Sequence, residues 1–468
     1  MQLEYIGVKG ISGPLIILDG ISGVSYDELV EIKVEGGGMR LGKVVEISEE
    51  STIVQVFEGT QDLSLNNTTT RFLGHPFQLP LSKEILGRVF DGLGRPKDNL
   101  GAVYPHVRWD INGKPVNPVS RKYPRNYINT GISTIDGLTT LIRGQKLPIF
   151  SANGLPHDQL TEQLVRQAKL SSEGESNFAI VFAAIGVHHD VAETFRKSFE
   201  ESGVIQKVAM FLNLSNDPVT ERIITPRCAL TAAEYMAYEL EMHVLVVLTD
   251  MSAYCEALRE LSASRGEIPS RKGFPGYMYS DLTSIYERAG MVKEKNGSIT
   301  QIPILTMPSD DITHPIPDLT GYITEGQIVL DRNLYHKGIY PPINILPSLS
   351  RLIKDGTGKG ITREDHGFCA RQLFASYSKV QEVRSLASVI GEDELSQVDK
   401  LYMEFGRAFE KDFVCQNIDK DRTMEQTLNI GWKVLGILPK KELDRVDSKI
   451  LDKYHKPRQH KVQKKESF

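Results

Sequence analysis

The loop from Ser151 to Asp158 stands where a phosphate-binding loop would be expected, between an apolar strand and an amphipathic helix. In a G-x-x-x-x-G-K-[ST] loop, backbone N–H groups cradle phosphates, the lysine reaches the β- and γ-phosphates, and the hydroxyl binds Mg²⁺. Here the loop keeps one glycine, Gly154, and ends in Pro156, His157 and Asp158. Proline offers no N–H, and a carboxylate at a helix start competes with phosphate. The sequence therefore predicts a degenerate loop, poorly suited to hold a nucleoside triphosphate.

The sequence leaves two interpretations of this loop open. One is weak nucleotide binding through His157. The other, which we expect, is a closed strand–helix turn without a ligand, in which Asp158 caps the helix. The adjacent His188 and His189 raise the question of a metal site, but neighbouring side chains on a chain point in different directions. We therefore expect no metal ligand among these residues.

Composition limits the classes of protein to consider. The chain has 468 residues, 40% hydrophobic and 25% charged residues, and a net charge of −5. These values are typical of a soluble protein of several domains and disfavour general binding to polyanions. The longest apolar run, Phe178 to Ile185, is far shorter than a membrane span, and the first residues do not resemble a signal peptide. The four widely spaced cysteines indicate free thiols in a reducing compartment.

The order of elements predicts three domains and a tail. Residues 1–75 contain short alternating strands and are expected to form a small β-barrel. Residues 76–355 alternate buried strands with helices, which indicates an α/β domain with a mostly parallel sheet. Residues 356–450 show helical patterns only, and residues 451–468 form a basic tail that is expected to be flexible.

Three long motifs carry a family resemblance. They are Pro341–Ser350, which ends in Ser-x-Ser; Gly273–Leu282, followed by Ile285–Gly290; and Asp310–Gln327. With the three-domain order, they resemble rotary ATPase head subunits. The resemblance covers residues 1–450 and is closest to the non-catalytic, regulatory B subunit of A/V-type ATPases and ATP synthases of the bacterial or archaeal kind. It implies that the central domain has a RecA-like P-loop NTPase fold with a degenerate loop.

The resemblance also implies roles for two strand ends. In the catalytic subunits of this family, a glutamate after the glycine that follows the second strand positions the attacking water. Here Gly186 is followed by Val187, which cannot act as a general base. Asp250 ends the apolar run Val244–Leu248, where a Walker B carboxylate would hold Mg²⁺ through water. Since the loop hydroxyl is missing, we expect Asp250 only to terminate a buried strand.

Arg351 is the remaining candidate catalytic residue. It follows the signature directly, and the resemblance implies that this arginine reaches ATP bound on the neighbouring subunit. Phosphoryl transfer spreads charge over the γ-phosphate oxygens, which a planar guanidinium can stabilise. Arginine fingers accelerate such reactions by ~10³–10⁵. Pro341, Asn344, Ser348 and Ser350 of the same signature are expected at a subunit interface.

The segment Asp310–Gly326 is rich in proline and short polar residues, and we expect it to be a loop of defined shape. The resemblance suggests that this loop lies near the central stalk. An ordinary connection that shapes the subunit interface is equally compatible with the sequence.

The resemblance implies a ring of three such chains alternating with three catalytic A subunits, attached to central and peripheral stalks. This chain alone is expected to bind no cofactor; ATP or ADP and Mg²⁺ belong at the interface with the A subunit. The complex would couple ATP turnover to H⁺ or Na⁺ transport in a membrane sector that this chain meets only indirectly. A cytoplasmic location, peripheral to the membrane, is expected, with no nucleic-acid partner.

The alternatives are three other classes of protein. A catalytic rotary or export ATPase subunit requires the absent lysine and glutamate. A Rho-like nucleic-acid-binding hexamer predicts a basic, aromatic N-terminal module, whereas residues 1–75 carry many carboxylates. The α subunit of F-type enzymes keeps its phosphate loop.

Overall fold

The structure is a computed structural model that describes residues 3–34, 36–113, 116–170 and 177–458. Its strands are β1 (Leu3–Ile6), β2 (Gly10–Ser12), β3 (Leu15–Asp19), β4 (Glu28–Lys33), β5 (Met39–Ile47), β6 (Ser51–Val56), β7 (Thr69–Pro76), β8 (Gln78–Leu81), β9 (Val89–Asp91), β10 (Val107–Asp110), β11 (Ile128–Asn129), β12 (Ile149–Ala152), β13 (Lys169–Leu170), β14 (Phe178–Val187), β15 (Val208–Leu214), β16 (His243–Thr249), β17 (Gly290–Met291), β18 (Ser298–Met307), β19 (Gly326–Leu330) and β20 (Ile343–Ser350). Its α-helices are α1 (Ser133–Leu138), α2 (His157–Gln167), α3 (His189–Glu201), α4 (Val219–Tyr238), α5 (Met251–Ser264), α6 (Met278–Tyr286), α7 (Pro315–Ile323), α8 (Arg332–His336), α9 (Ile353–Gly356), α10 (His366–Ile390), α11 (Gln397–Ala408), α12 (Met424–Leu435) and α13 (Ser448–Tyr454).

Contacts divide the chain into two units, each assembled from three segments. Unit one comprises Met1–Tyr123, Gly144–Asn153 and Ser176–Thr324. Unit two comprises Pro124–Arg143, Gly154–Glu175 and Glu325–Phe468. The predicted tail beyond residue 458 lies outside the described residues.

The N-terminal part of unit one is an antiparallel sheet of seven strands in the order β1-β7-β4-β5-β6-β3-β2. Successive strand residues alternate between the two faces, so apolar residues at every second position cover one face. Val30 and Ile32 of β4, Val44 of β5 and Val54 of β6 are fully buried in a common core. The alternating runs of the sequence therefore form one antiparallel sheet that shares an apolar core.

The rest of unit one is built on a parallel sheet. The strands β12, β18, β16, β14, β15 and β9 pair in that order, and every pair is parallel. The short strand β17 joins β18 in the antiparallel direction. All residues of β16 are buried, as expected for a strand covered on both faces. Parallel pairing brings the carboxyl ends of β12, β14 and β16 to one edge, where the candidate residues of unit one lie.

Unit two contains the long C-terminal helices. Helices α10, α11 and α12 share a core in which Phe405, Phe409 and Phe413 stack in series. A capping box begins α12, because Thr423 and Gln426 each bond the other's backbone N–H. After α11 the helix continues as a π-helical segment, Phe409–Val414. Within the described residues, no helix is both long and apolar enough to cross a membrane.

The segment Asp310–Gly326 differs from its prediction. Instead of a loop throughout, it contains the helix α7, which starts at Pro315. His314 caps this helix, because its Nδ1 accepts the N–H of Ile316 at 3.4 Å. Proline is compatible with the first turn of a helix, where its missing N–H has no intrahelical partner. The prolines that suggested a loop therefore mark a helix start.

Candidate functional site

The degenerate loop is closed by its own backbone. The N–H of His157 donates to the carbonyl of Leu155 across Pro156, at 2.9 Å. The side-chain Nδ1 of His157 lies 3.0 Å from the same carbonyl oxygen. Gly154 has φ of +79°, a conformation that glycine adopts without strain. Of the amides that would face a phosphate, one is therefore absent at Pro156 and the next is already bonded.

Asp158 does not cap α2, so that expectation was wrong. The helix already begins at His157, before Asp158, and no side chain caps its first turn. Asp158 lies within that turn, with Oδ1 3.7 Å from Nε2 of His157. Its carboxylate therefore occupies the positive end of the helix dipole, the region a phosphate would otherwise use.

Asp250 begins α5 at the end of β16 and is engaged on both oxygens. Its Oδ1 accepts the N–H of Ser252 at 2.7 Å, and its Oδ2 accepts the hydroxyl of Thr306 at 2.6 Å. Thr306 is the register partner of Ser151, a buried residue of β12. The structure thus brings Ser151 and Asp250 close together through Thr306. Asp250 therefore caps α5 and links the end of β16 to β18.

Val187 ends β14, next to β16 in the sheet. The preceding Gly186 has φ of +67°, and its N–H donates to Asn213 Oδ1 at 3.1 Å. Arg222 donates to the same Asn213 oxygen at 3.1 Å and to the carbonyl of Ser215 at 3.1 Å. Burial lowers the pKa of the Arg222 guanidinium. This edge therefore offers an aliphatic side chain backed by a cation, and no carboxylate at the position of Val187.

Arg351 lies in unit two, directly after β20, and its side chain is exposed. Its backbone N–H donates to the carbonyl of Glu325 at 2.8 Å, beside the pair Gly326–Ser350. The hydroxyl of Ser350 donates to the carbonyl of Thr140 at 3.2 Å. The backbone that carries Arg351 is thus fixed at the end of an antiparallel pair of strands.

Residues earlier in the signature bond to one another and to β19. Ser348 Oγ accepts the N–H of Val329 at 2.9 Å and donates to the carbonyl of Asn344. The Asn344 side chain also donates to Asp331 at 3.0 Å. Pro341 is buried at the start of the motif. The expectation that these residues lie at an interface stays a prediction.

Sequence reasoning missed three residues that shape these strand ends. Thr306 donates to Asp250, and Arg222 donates to Asn213. Gln327 donates to the carbonyl of Pro347 at 3.1 Å. Gln327 stands inside a motif that the sequence had singled out. The other two offered no local signal, because their partners lie on other elements.

Comparison with known proteins assigns the chain to a family. The family described as "ATP synthase alpha/beta family, nucleotide-binding domain" matches residues 131–350. Its "beta-barrel domain" matches residues 8–74, and the "C-terminal domain of V and A type ATP synthase" matches residues 355–455. The chain belongs to the ATP synthase alpha/beta family, in the branch with the V and A type C-terminal domain.

Similar proteins agree with this assignment. "V-type ATP synthase beta chain 2" of Clostridium tetani is 60% identical over 457 residues, covering 97% of this chain and 99% of that protein. "V-type ATP synthase beta chain" of Halothermothrix orenii is 60% identical over 453 residues, covering 97% and 98%. Among solved structures, the "ATP synthase subunit NeqB" from Nanoarcheaum equitans is similar with a TM-score of 0.72 and 39% identity, covering 87% of this chain and 98% of that one.

These matches confirm the predicted family, the three-part fold and the assignment to the beta, or B, type of chain in V-type rotary ATP synthases. A V-type C-terminal domain also separates the chain from the F-type α alternative. The predicted domain boundaries and the roles of individual residues stay predictions.

Proposed function

We propose that this chain is the non-catalytic partner in a ring of three B and three catalytic A subunits, where it supplies Arg351 to ATP bound on the A subunit. Mg²⁺ and most nucleotide contacts belong to the A subunit. Central and peripheral stalks would join the ring to a membrane sector that moves H⁺ or Na⁺. The chain would lie at the cytoplasmic face, bound to the membrane only through the complex.

The closed loop carries this proposal. Phosphate loops bind through free backbone N–H groups and a lysine, and this loop has a proline, an engaged N–H and a carboxylate at those positions. Val187 stands where a general base would be needed. The loop and strand ends of this chain therefore lack both a phosphate-binding lysine and a general base, which hydrolysis requires. An exposed arginine on fixed backbone is suited to act on a neighbour's nucleotide.

Arg351→Ala tests the proposal in the purified A–B ring. The ring should assemble normally, and steady-state ATP hydrolysis should fall by about 10³-fold or more. Arg407→Ala is the matched control, since this exposed arginine pairs with Glu392 on the surface of unit two. Near-normal turnover by the Arg351 variant would refute the arginine finger.

A binding titration tests the closed loop separately. The isolated chain should bind no ATP at micromolar concentration, with or without Mg²⁺. Magnesium-dependent binding that is abolished by His157→Ala would instead support the weak nucleotide site.

A further inference from the structure

We infer that Ser348 and Gln327 are positioning residues for Arg351. Together they hold a large β-bulge in the strand that presents the arginine. The inference rests on the proposed function, because it assigns a purpose to the strand that carries the arginine finger. Neither residue is expected to touch nucleotide. Each acts through the backbone of β20.

The bulge is visible in the pairing of β19 with β20. Gln327 is the register partner of Leu349, and Val329 is the partner of Asn344. Residues 345–348 of β20 therefore stand opposite the single residue Ile328 of β19. A β-bulge normally inserts one extra residue, whereas this one inserts three and is unusually large. Its backbone groups have lost the regular ladder partners that would fix their positions.

Side chains replace part of the missing ladder; Asn344 Oδ1, for example, accepts the N–H of Leu346 inside the bulge at 3.1 Å. Ser348, buried at 4% exposure, accepts the N–H of Val329 at 2.9 Å and donates to the carbonyl of Asn344, so it bonds both sides of the bulge. Gln327 reaches across from β19 and donates to the carbonyl of Pro347 at 3.1 Å. Without these bonds, the buried N–H of Val329 and the part-buried carbonyls of Asn344 and Pro347 would lose these partners, which is unfavourable for polar groups shielded from water. The bonds therefore hold the bulge in one conformation.

The position of the bulge explains why this matters for Arg351. Ser348 lies three residues before the arginine. Between the bulge and Arg351 stand two register pairs, Gln327–Leu349 and Gly326–Ser350, and the bond from Arg351 N to Glu325 O. A change in the bulge would shift or twist the end of β20, and the long side chain would amplify this shift at the guanidinium. Misplacement of a catalytic group by about 1 Å can cost about 100-fold in rate.

Two variants test the role of the bulge in the assembled A–B ring. Ser348→Ala and Gln327→Leu should each lower kcat by about 10- to 100-fold, with KM for ATP and ring assembly unchanged. Ser348→Thr keeps the hydroxyl and should restore most of the rate. Ser202→Ala is the control, because its hydroxyl donates to the carbonyls of Ser198 and Phe199 in the last turn of α3. Gln327 is half-buried, so its variant should fold even if Ser348→Ala does not.

A double-mutant cycle separates this inference from the proposed function. In an Arg351→Ala background, Ser348→Ala and Gln327→Leu should cause no further loss of the residual rate, since their effect passes through the arginine. If Arg351→Ala alone leaves turnover normal, the proposed function fails. If Arg351→Ala is inactive while both other variants turn over normally, or if their losses multiply with it, the positioning role is overturned.

Discussion

Glu221, in the first turn of α4, carries a carboxyl group in an unfavourable setting. Burial raises its pKa to about 7, and the nearby carboxylates of Asp217 and Asp91 add to the shift. The N–H of Gly92, which donates to Glu221 Oε1 at 3.1 Å, and the charge of Arg95 oppose it only in part. Because the folded protein holds this proton more tightly than the unfolded chain, its stability should fall as pH rises from about 4.5 to about 7.

Glu221→Gln should remove this pH dependence, because the amide oxygen still accepts the N–H of Gly92 and no charge forms. At pH 5 the variant and the wild type should unfold at similar temperatures. At pH 8 the variant should be more stable by about 1–3 kcal/mol, after allowance for solvent screening. Calorimetry of the isolated chain across this pH range measures the difference.

At the same scale, the hydrogen bonds of individual residues in the degenerate loop were harder to predict than its poor suitability for binding phosphate. The proline, the missing lysine and the acidic residue were visible in the sequence. The bond from His157 to Leu155 was not, because it depends on the local turn around Pro156. For the same reason, the sequence predicted Asp158 as the cap of a helix that in fact already includes His157.

At the scale of elements, a buried ion pair ties three segments of unit one together. Arg288, which follows α6, donates from Nε and Nη2 to the two oxygens of Glu234 on α4, each at 2.7 Å. Its other donors bond the carbonyl of Ile111, after β10, and the hydroxyl of Thr231. Both charged side chains are almost fully buried. Such a pair fixes where elements meet, because either charge alone would be buried without compensation.

Glu234→Leu should therefore destabilise unit one strongly, by about 3–5 kcal/mol, since Arg288 would keep its charge and lose its carboxylate. Urea unfolding of the isolated chain measures this loss. Glu193→Leu is the matched control: it breaks a pair with Arg196 on the surface of α3 and should cost less than about 1 kcal/mol. Similar midpoints for the two variants would contradict the role of the buried pair.

Most elements were predictable because their apolar patterns are local. The apolar runs Phe178–Ile185 and Val244–Leu248 lie in the central strands β14 and β16, and the helical patterns of residues 356–450 correspond to the helices α10, α11 and α12. The large bulge in β20 was not predictable, because the register of a strand depends on its partner strand. Helix α7 was missed because proline was taken only as a loop residue, although it also favours the first turn of a helix.

At the scale of the whole molecule, the proposed ring predicts a defined composition. Co-expression with an A subunit should give a complex containing both chains in equal numbers, three of each. Native mass spectrometry measures this stoichiometry directly. A stable hexamer of this chain alone, formed without the A subunit, would argue for a different assembly.

The way the chain threads its two units has a consequence for inheritance. Each unit draws on three separate stretches of sequence, and the backbone passes from one unit to the other five times. Genetic exchange at a single point anywhere between residues 125 and 323 would join incomplete halves from two parents. We therefore expect natural hybrids to arise by replacement of the entire gene or by gradual substitution, and seldom by shuffling of fragments.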